Sequence, residues 1–201
     1  MIIRKLGYLV ALLALAGASC QREPAAPASV APAAAPSAQP PTVSVATQAG
    51  MPPDATPPYA PATIETIERY TVEAQALSAK LRPGVDVAAA AQAAELLLAL
   101  GAEIVPAYVE RHPHCGAYLA AVLQVKEAWR SMDAATLERD FHKDAALPEV
   151  EGDVKVCYHM KDLVVHPATA LALLSQSPPA IDAAQKEITE VIAHSLIVRQ
   201  G

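Results

Sequence analysis

The sequence predicts an all-α protein, a single bundle of about five helices behind a disordered linker rich in proline and alanine. Three observations predict this fold. Apolar residues recur at helical spacing after residue 61, only 8 of the 201 residues are glycine, and 11 of the 18 prolines fall in residues 24–61. Because 53% of the residues are hydrophobic and only 4% are aromatic, we expect the helices to share an aliphatic core.

Residues 1–19 have the features of an export signal. Arg4 and Lys5 precede an uncharged apolar stretch that is too short to span a bilayer. Small residues follow that stretch, and Cys20 comes directly after them. The pattern predicts that residues 1–19 are removed during export.

The small residues before Cys20 resemble the lipobox of bacterial lipoproteins. The resemblance covers residues 1–20 only, and Gly17 stands where that family usually has leucine. It implies a diacylglycerol on Cys20, cleavage before Cys20 and acylation of the new amino terminus. Gln21 in the next position implies sorting to the outer membrane, facing the periplasm. The alternative is a secreted or soluble periplasmic protein, cleaved at the small residues Ala16 to Ala18.

Residues 20–61 are expected to form a disordered linker between this lipid anchor and the folded domain. Besides the prolines, the segment consists mainly of alanine, serine, threonine and glutamine. Proline breaks helices, and such a segment has little apolar surface to bury. A chain of this composition holds a domain several tens of Å from its anchor, at about 3 Å per residue where extended.

The folded domain is predicted to cover residues 62–201 and to begin with two long helices. The first covers residues 62–82 and ends at Pro83. Asp86 is the expected N-cap of the second, which is rich in alanine and leucine. Gly101 and Pro106 predict a kink or break within this second helix.

The remaining helices follow the same apolar periodicity. They are predicted over residues 114–130, in a short segment after Asp133, over residues 154–165, over residues 168–175, and from about Ser177 onwards. The pair His166-Pro167 predicts a bend, because a residue before proline disfavours helical backbone.

Cys115 and Cys157 are predicted to form a disulfide. Once Cys20 carries lipid, these two cysteines remain as an even pair in an exported domain, and oxidising compartments favour disulfides. The alternative is two buried free thiols. Reduced thiols at these positions would also offer a zinc site together with His114 and His159.

The histidines are the feature of the sequence that points most directly to a ligand. His159, Asp162 and His166 fall on one narrow face of the helix over residues 154–165 and its continuation. A Cys115–Cys157 bond would draw His112 and His114 towards them. Imidazole and carboxylate groups on one face bind transition metals, so these five residues form the candidate metal or haem site. In the alternative interpretation, His159, Asp162 and His166 form the solvated edge of an amphipathic helix.

Two further polar groupings have a simpler interpretation as surface. Glu138 and His142 stand four residues apart, a spacing compatible with acid–base chemistry but typical of a solvated helix face. His194 follows Glu187 and Glu190, where a surface ion pair is expected.

The chain is therefore predicted to be an envelope-anchored helical lipoprotein that acts as a non-enzymatic binding or interaction module. The signatures of attached haem, zinc proteases, serine hydrolases and nucleotide-binding loops are all missing from the sequence. A net charge of −6 argues against nucleic acid as a partner. Besides the membrane, an envelope protein or a small ligand is the expected partner, and the cofactor stays unassigned. The alternative function is a metal- or haem-binding bundle that uses the histidine cluster.

Overall fold

The domain is an all-α bundle, as the sequence predicts. The structure is a computed structural model that describes residues 59–201, of which 80% are helical and none lie in strands. The export signal, Cys20 and all but the last three residues of the linker fall outside the described residues. The helices are α1 (Pro61–Lys80), α2 (Val87–Arg111), α3 (Gly116–Ala128), α4 (Ala134–Leu137), α5 (Val154–Leu174) and α6 (Ile181–Gln200).

Short turns of other helical types join these elements. Two 3-10 turns, Pro113–Cys115 and Trp129–Ser131, flank α3, and a π-helical turn over Glu138–His142 continues α4. The predicted cap at Asp86 is present, since its side chain accepts hydrogen bonds from the first backbone N–H groups of α2. The predicted short helix is also present, because Asp133 caps α4 in the same way.

Helix α5 lies at the centre of the bundle. It packs against α2, α3, α4 and α6, while α1 packs against α2 and α6. Nearly every residue of α5 from Met160 to Leu174 is buried. Of the described helices, α2 is long and apolar enough to cross a bilayer by length and composition, a property that the core helices of bundles share.

The predicted division into helices over residues 154–165 and 168–175 is wrong, because α5 continues through His166 and Pro167 to Leu174. A proline removes the N–H that would bond the carbonyl four residues earlier, here that of Leu163. In this structure the Tyr70 hydroxyl of α1 donates to the Leu163 carbonyl at 2.8 Å. The neighbouring helix thus supplies the missing hydrogen bond.

Gly101 does not break α2 either; it allows α2 to approach α5. A Cβ atom at Gly101 would lie 2.4 Å from the same Leu163 carbonyl oxygen. Pro106 also lies within the unbroken helix. The backbone of α5 is therefore held at Leu163 by a close contact with α2 and by a hydrogen bond from α1.

Cys115 and Cys157 form the predicted disulfide. Their Cα atoms are 5.4 Å apart, both residues are buried, and the bond joins the start of α3 to the first turn of α5. The zinc site predicted for reduced thiols is excluded in this structure, because disulfide sulfurs are not thiolate ligands.

Removing the disulfide is expected to destabilise the domain strongly. The bond spans 42 residues, and closing a loop of that length stabilises the folded state by about 4 kcal/mol in the chain-entropy model. The double variant Cys115→Ala/Cys157→Ala should therefore lower the free energy of unfolding by that amount in urea titrations. A loss below about 1 kcal/mol would contradict this role of the bond.

Candidate functional site

The centre of α5 carries charged side chains in the core of the bundle. The side chains of Lys161 and Asp162 are 0% exposed and that of His166 is 1% exposed. Burying charged groups costs several kcal/mol unless partners compensate for the lost water. The interpretation of His159, Asp162 and His166 as a solvated edge is therefore wrong for Asp162 and His166.

The two faces of α5 separate the predicted histidines. Residues two apart on a helix point about 200° away from each other, so Cys157 faces α3 while His159 faces α6. His112 and His114 lie at the α3 side, with their rings 6.1 Å apart. Within residues 59–201 neither has a hydrogen bond or ring contact with His159, Asp162 or His166. The structure thus brings Asp162 and His166 together, places His159 on the same side of α5, and leaves His112 and His114 apart.

His166 is oriented by a carboxylate from α6. Its Nδ1 lies 2.6 Å from Oε2 of Glu187, and because a carboxylate only accepts, the Nδ1–H must donate. The ring thereby directs Nε2 towards Asp162, whose Oδ2 is 4.0 Å away. This Nε2 is buried and has no hydrogen-bond partner among the described residues. The sequence suggested that Glu187 pairs with His194 on α6. In the structure, Glu187 pairs with His166 on α5 instead.

His142 has a similar arrangement on the π-helical turn. Its Nδ1 lies 2.7 Å from Oε2 of Glu138, and its ring centroid lies 4.7 Å from that of His166. The ring is only 19% exposed, so the interpretation of this pair as a solvated surface is wrong for His142. One donor atom each from His142, Asp162 and His166 lie within 4.8 Å of one another. Single π turns are rare in helices and are frequent at functional sites.

His194 reaches the same carboxylate from α6. Its Nε2 lies 3.4 Å from Oδ2 of Asp162, and its Nδ1 lies 2.9 Å from Nδ1 of His159. Burial and the neighbouring imidazoles lower the pKa of His194 to about 4. His194 is thus a neutral imidazole at pH 7.

Asp162 stands between these rings without hydrogen bonds of its own. Both its oxygens are buried and have no hydrogen-bond partner in the described part of the chain. Burial raises the pKa of Asp162, against the lowering effect of Lys161, His166, His142 and Tyr158. A carboxylate that accepts no hydrogen bonds in a protein core destabilises the folded state, unless a positively charged group close to it compensates for the lost water.

Lys161 provides only part of that compensation. Its Nζ is 3.6 Å from Oδ1 of Asp162 but donates hydrogen bonds to Asp144 Oδ1 at 2.9 Å and to the His142 carbonyl at 2.8 Å. Asp144 also accepts from the Tyr118 hydroxyl at 2.8 Å. The backbone of Asp144 has φ of 61°, a left-handed conformation that is uncommon for residues with a side chain. The ammonium group is therefore directed towards Asp144.

A groove of about 320 Å³ lies elsewhere in the domain, between the end of α1 and the start of α2. Its walls are mostly apolar and include Leu77, Val85 and Ala90. None of its lining residues belongs to the histidine cluster, so the two features are separate.

Comparisons with protein-family models, with curated proteins and with solved structures found no match to this chain.

The geometry of the cluster fits a metal ion. Two donor atoms that each lie about 2.1 Å from a tetrahedral zinc ion are about 3.4 Å apart. In the structure, Asp162 Oδ2 lies 3.4 Å from His194 Nε2 and 4.0 Å from His166 Nε2, which is close to that separation. Metal-binding histidines almost always donate their other ring N–H to a carboxylate or carbonyl, as His142 and His166 do here.

Sequence reasoning missed His142, His194 and Glu187 as members of this cluster. His142 lies on the π turn, and Glu187 and His194 lie on α6. Their approach to α5 depends on how the helices pack, which spacing along the chain does not show. The available signal was an Asp or Glu four residues before each of His142, His166 and His194, a spacing that His114 shares with Glu110 and that therefore does not single out the cluster.

Proposed function

We propose that this chain is a lipid-anchored envelope protein whose helical domain binds one divalent transition-metal ion. The proposed ligands are His142, Asp162 and His166, with His194 as the fourth. The observation that carries this is that buried acceptor atoms without partners in the described residues, both oxygens of Asp162 and Nε2 of His166, lie close together, with Nε2 4.0 Å from Oδ2.

The charges around the cluster also support a cation. With neutral imidazoles, the carboxylates of Glu138, Asp144, Asp162 and Glu187 outnumber the nearby ammonium groups of Lys143 and Lys161 by two. A divalent ion would balance this excess. Nitrogen and oxygen donors without sulfur suit zinc, iron, nickel or copper(II) more than copper(I).

The competing account is an ion-pair network without metal. In that account His142 and His166 are protonated, and each imidazolium balances one carboxylate, Glu138 or Glu187. It explains the two short contacts, but Asp162 then has only the Lys161 ammonium at 3.6 Å, His194 Nε2 at 3.4 Å and the neighbouring Tyr158 hydroxyl, and none of them forms a hydrogen bond of good geometry within residues 59–201. A bound metal ion would give the Asp162 carboxylate and His166 Nε2 a positively charged partner, and the two short contacts would orient its histidine ligands.

The burial of the ligands favours binding over catalysis. Asp162 and His166 are almost completely enclosed, so an ion held there would present little open coordination to a substrate. Catalytic metal sites keep an open position, whereas structural and storage sites are closed. We infer a role in holding or passing on a metal ion in the envelope.

The metal proposal is tested by titration of the full chain, purified without a histidine tag and stripped of metal. We expect one equivalent of Zn²⁺ or Co²⁺ per chain. His166→Ala should remove tight binding, and Glu187→Gln should weaken it about 10- to 100-fold, because Glu187 orients a ligand. His114→Ala is the matched control, an exposed histidine outside the cluster that should bind as the wild type does.

Two results would contradict the metal proposal. One is a wild-type chain that binds neither ion at a 1:1 ratio. The other is His166→Ala with the affinity of the wild type, which would locate binding elsewhere.

The anchor is tested separately, at Cys20. Mass spectrometry of the membrane fraction should find an acylated amino-terminal cysteine, since two or three acyl chains give durable membrane attachment. Cys20→Ser should release the domain from the membrane. A mature wild-type protein that begins before Cys20 and carries no lipid would contradict the anchor.

A further inference from the structure

A pair of histidines connects the buried cluster to the protein surface. His159 and His194 face each other through their Nδ1 atoms at 2.9 Å, and His194 then faces Asp162 through Nε2 at 3.4 Å. Both histidines are partly exposed, with the His194 ring 16% exposed, whereas Asp162 is fully enclosed. Exposure therefore falls from this pair of histidines to Asp162.

The hydrogen-bond chemistry fixes which nitrogen of each ring is free. In the metal-free chain His194 Nε2 faces a carboxylate, so the favourable tautomer carries its hydrogen there and leaves Nδ1 as an acceptor. His159 must then donate from Nδ1, which leaves the lone pair on its Nε2. That nitrogen has no hydrogen bond to any residue in the described range, and it is not among the buried atoms without a partner. His159 thus presents a metal-binding lone pair at the accessible end of the cluster.

We propose that His159 and His194 are the route by which a metal ion reaches the buried site, an inference that rests on the proposed function. A hydrated ion must lose its water before it reaches Asp162, and doing so in one step has a large desolvation penalty. Binding first to His159 Nε2 and then to His194 Nε2 replaces water ligands one at a time. As the ion moves, the Nδ1 hydrogen passes from His159 to His194, His194 Nε2 loses its hydrogen to the ion's site and His159 Nε2 gains one, so each ring stays neutral. His159 is therefore a transfer residue and does not remain a ligand in the final site.

A transfer residue has a distinctive kinetic signature. It lowers the barrier in both directions, so its removal slows binding and release together and leaves the affinity unchanged. A ligand behaves differently, because its removal accelerates release and weakens the affinity. The ratio of the two rate constants therefore separates the roles.

The experiment is stopped-flow mixing of Co²⁺ with the metal-free full chain, followed by release into excess chelator. His159→Gln, which keeps a hydrogen-bonding group beside His194 Nδ1, should lower the association and the dissociation rate constants by about tenfold and leave Kd unchanged. His159→Ala should slow both steps and also weaken the affinity, because it removes the partner of a ligand. His114→Ala is the control and should match the wild type. Slower binding and release in both variants, with an unchanged Kd in His159→Gln, separates loss of the imidazole from a local packing defect, and circular dichroism verifies their fold.

Each other outcome overturns a defined part of the account. Unchanged rate constants in both His159 variants would overturn the transfer route while the metal site stands. Faster release with weaker affinity in His159→Gln would make His159 a ligand and overturn the route as well. A wild-type chain that binds no Co²⁺ would overturn the proposed function together with this inference.

Discussion

Asp162→Asn is expected to abolish metal binding without destabilising the metal-free domain. In the wild type, Asp162 is a buried carboxylate whose oxygens accept no hydrogen bond from residues 59–201, and burial raises its pKa. For an acid with a raised folded-state pKa, the folded state binds more protons than the unfolded state, so stability falls as the pH rises from the unfolded pKa through the folded one. Each unit of such a rise corresponds to about 1.4 kcal/mol at neutral pH.

Asparagine at position 162 carries no charge, so the variant removes the energetic cost of ionising a buried carboxyl group. The metal-free Asp162→Asn chain should therefore be at least as stable as the metal-free wild type at pH 7. Its free energy of unfolding should also change less between pH 4 and pH 7. The wild type should gain about 2.7 kcal/mol of stability at a free metal concentration 100 times Kd, and the variant should gain nothing. Urea denaturation with and without Zn²⁺ measures all three quantities.

Asp144→Asn serves as the contrasting variant. Asp144 accepts hydrogen bonds from Lys161 and Tyr118, so the variant weakens the pairing of a fully buried ammonium group. Because Asp144 is itself 37% exposed, we expect a loss of about 2 kcal/mol, below the range for fully buried pairs. If Asp162→Asn destabilised the metal-free chain as much as Asp144→Asn, Asp162 would be a structural counterion and not a ligand.

Gly101→Ala is expected to destabilise the domain by about 3 kcal/mol, since overpacking a core contact with backbone is poorly relieved. The added Cβ would lie 2.4 Å from the Leu163 carbonyl oxygen, which also accepts the Tyr70 hydrogen bond. Relief requires α2 and α5 to separate, and α5 carries Asp162 and His166. The variant should therefore also weaken metal binding.

Gly116→Ala is the matched control for Gly101→Ala. A Cβ at Gly116 would meet only the Val109 Cγ1 atom at 3.6 Å, an ordinary contact. Alanine is favoured over glycine in helices by up to about 1 kcal/mol, so this variant should be neutral or stabilising. Thermal unfolding of both variants tests the comparison, and equal Tm values would contradict the close approach at Gly101.

The helices of this domain were predictable because their determinants are local. Asp86 and Asp133 cap α2 and α4, and the apolar periodicity follows the buried faces. The continuity of α5 was not predictable, because the partner of the Leu163 carbonyl is Tyr70, which is 93 residues away in the chain. A proline indicates a break only when no neighbouring helix satisfies the carbonyl that it leaves free.

The candidate site was predictable only in part, for a similar reason. Asp162 and His166 share a face of α5, so their proximity follows from helix geometry. Their burial does not, since a run of charged residues is normally solvated, and α5 is enclosed only because it is the central helix. The disulfide was predictable from the number of cysteines. It does not bring His112 and His114 to His159, because Cys157 and His159 point to opposite sides of α5.

The most direct test of the metal site is a crystal of the zinc-loaded chain, with anomalous diffraction measured on both sides of the zinc absorption edge. We expect a single strong peak about 2.0–2.2 Å from Nε2 of His166 and from a carboxylate oxygen of Asp162, with His142 and His194 as the other ligands. A zinc-loaded crystal with no peak between α4, α5 and α6, or with its peak at His112 and His114, would contradict the account.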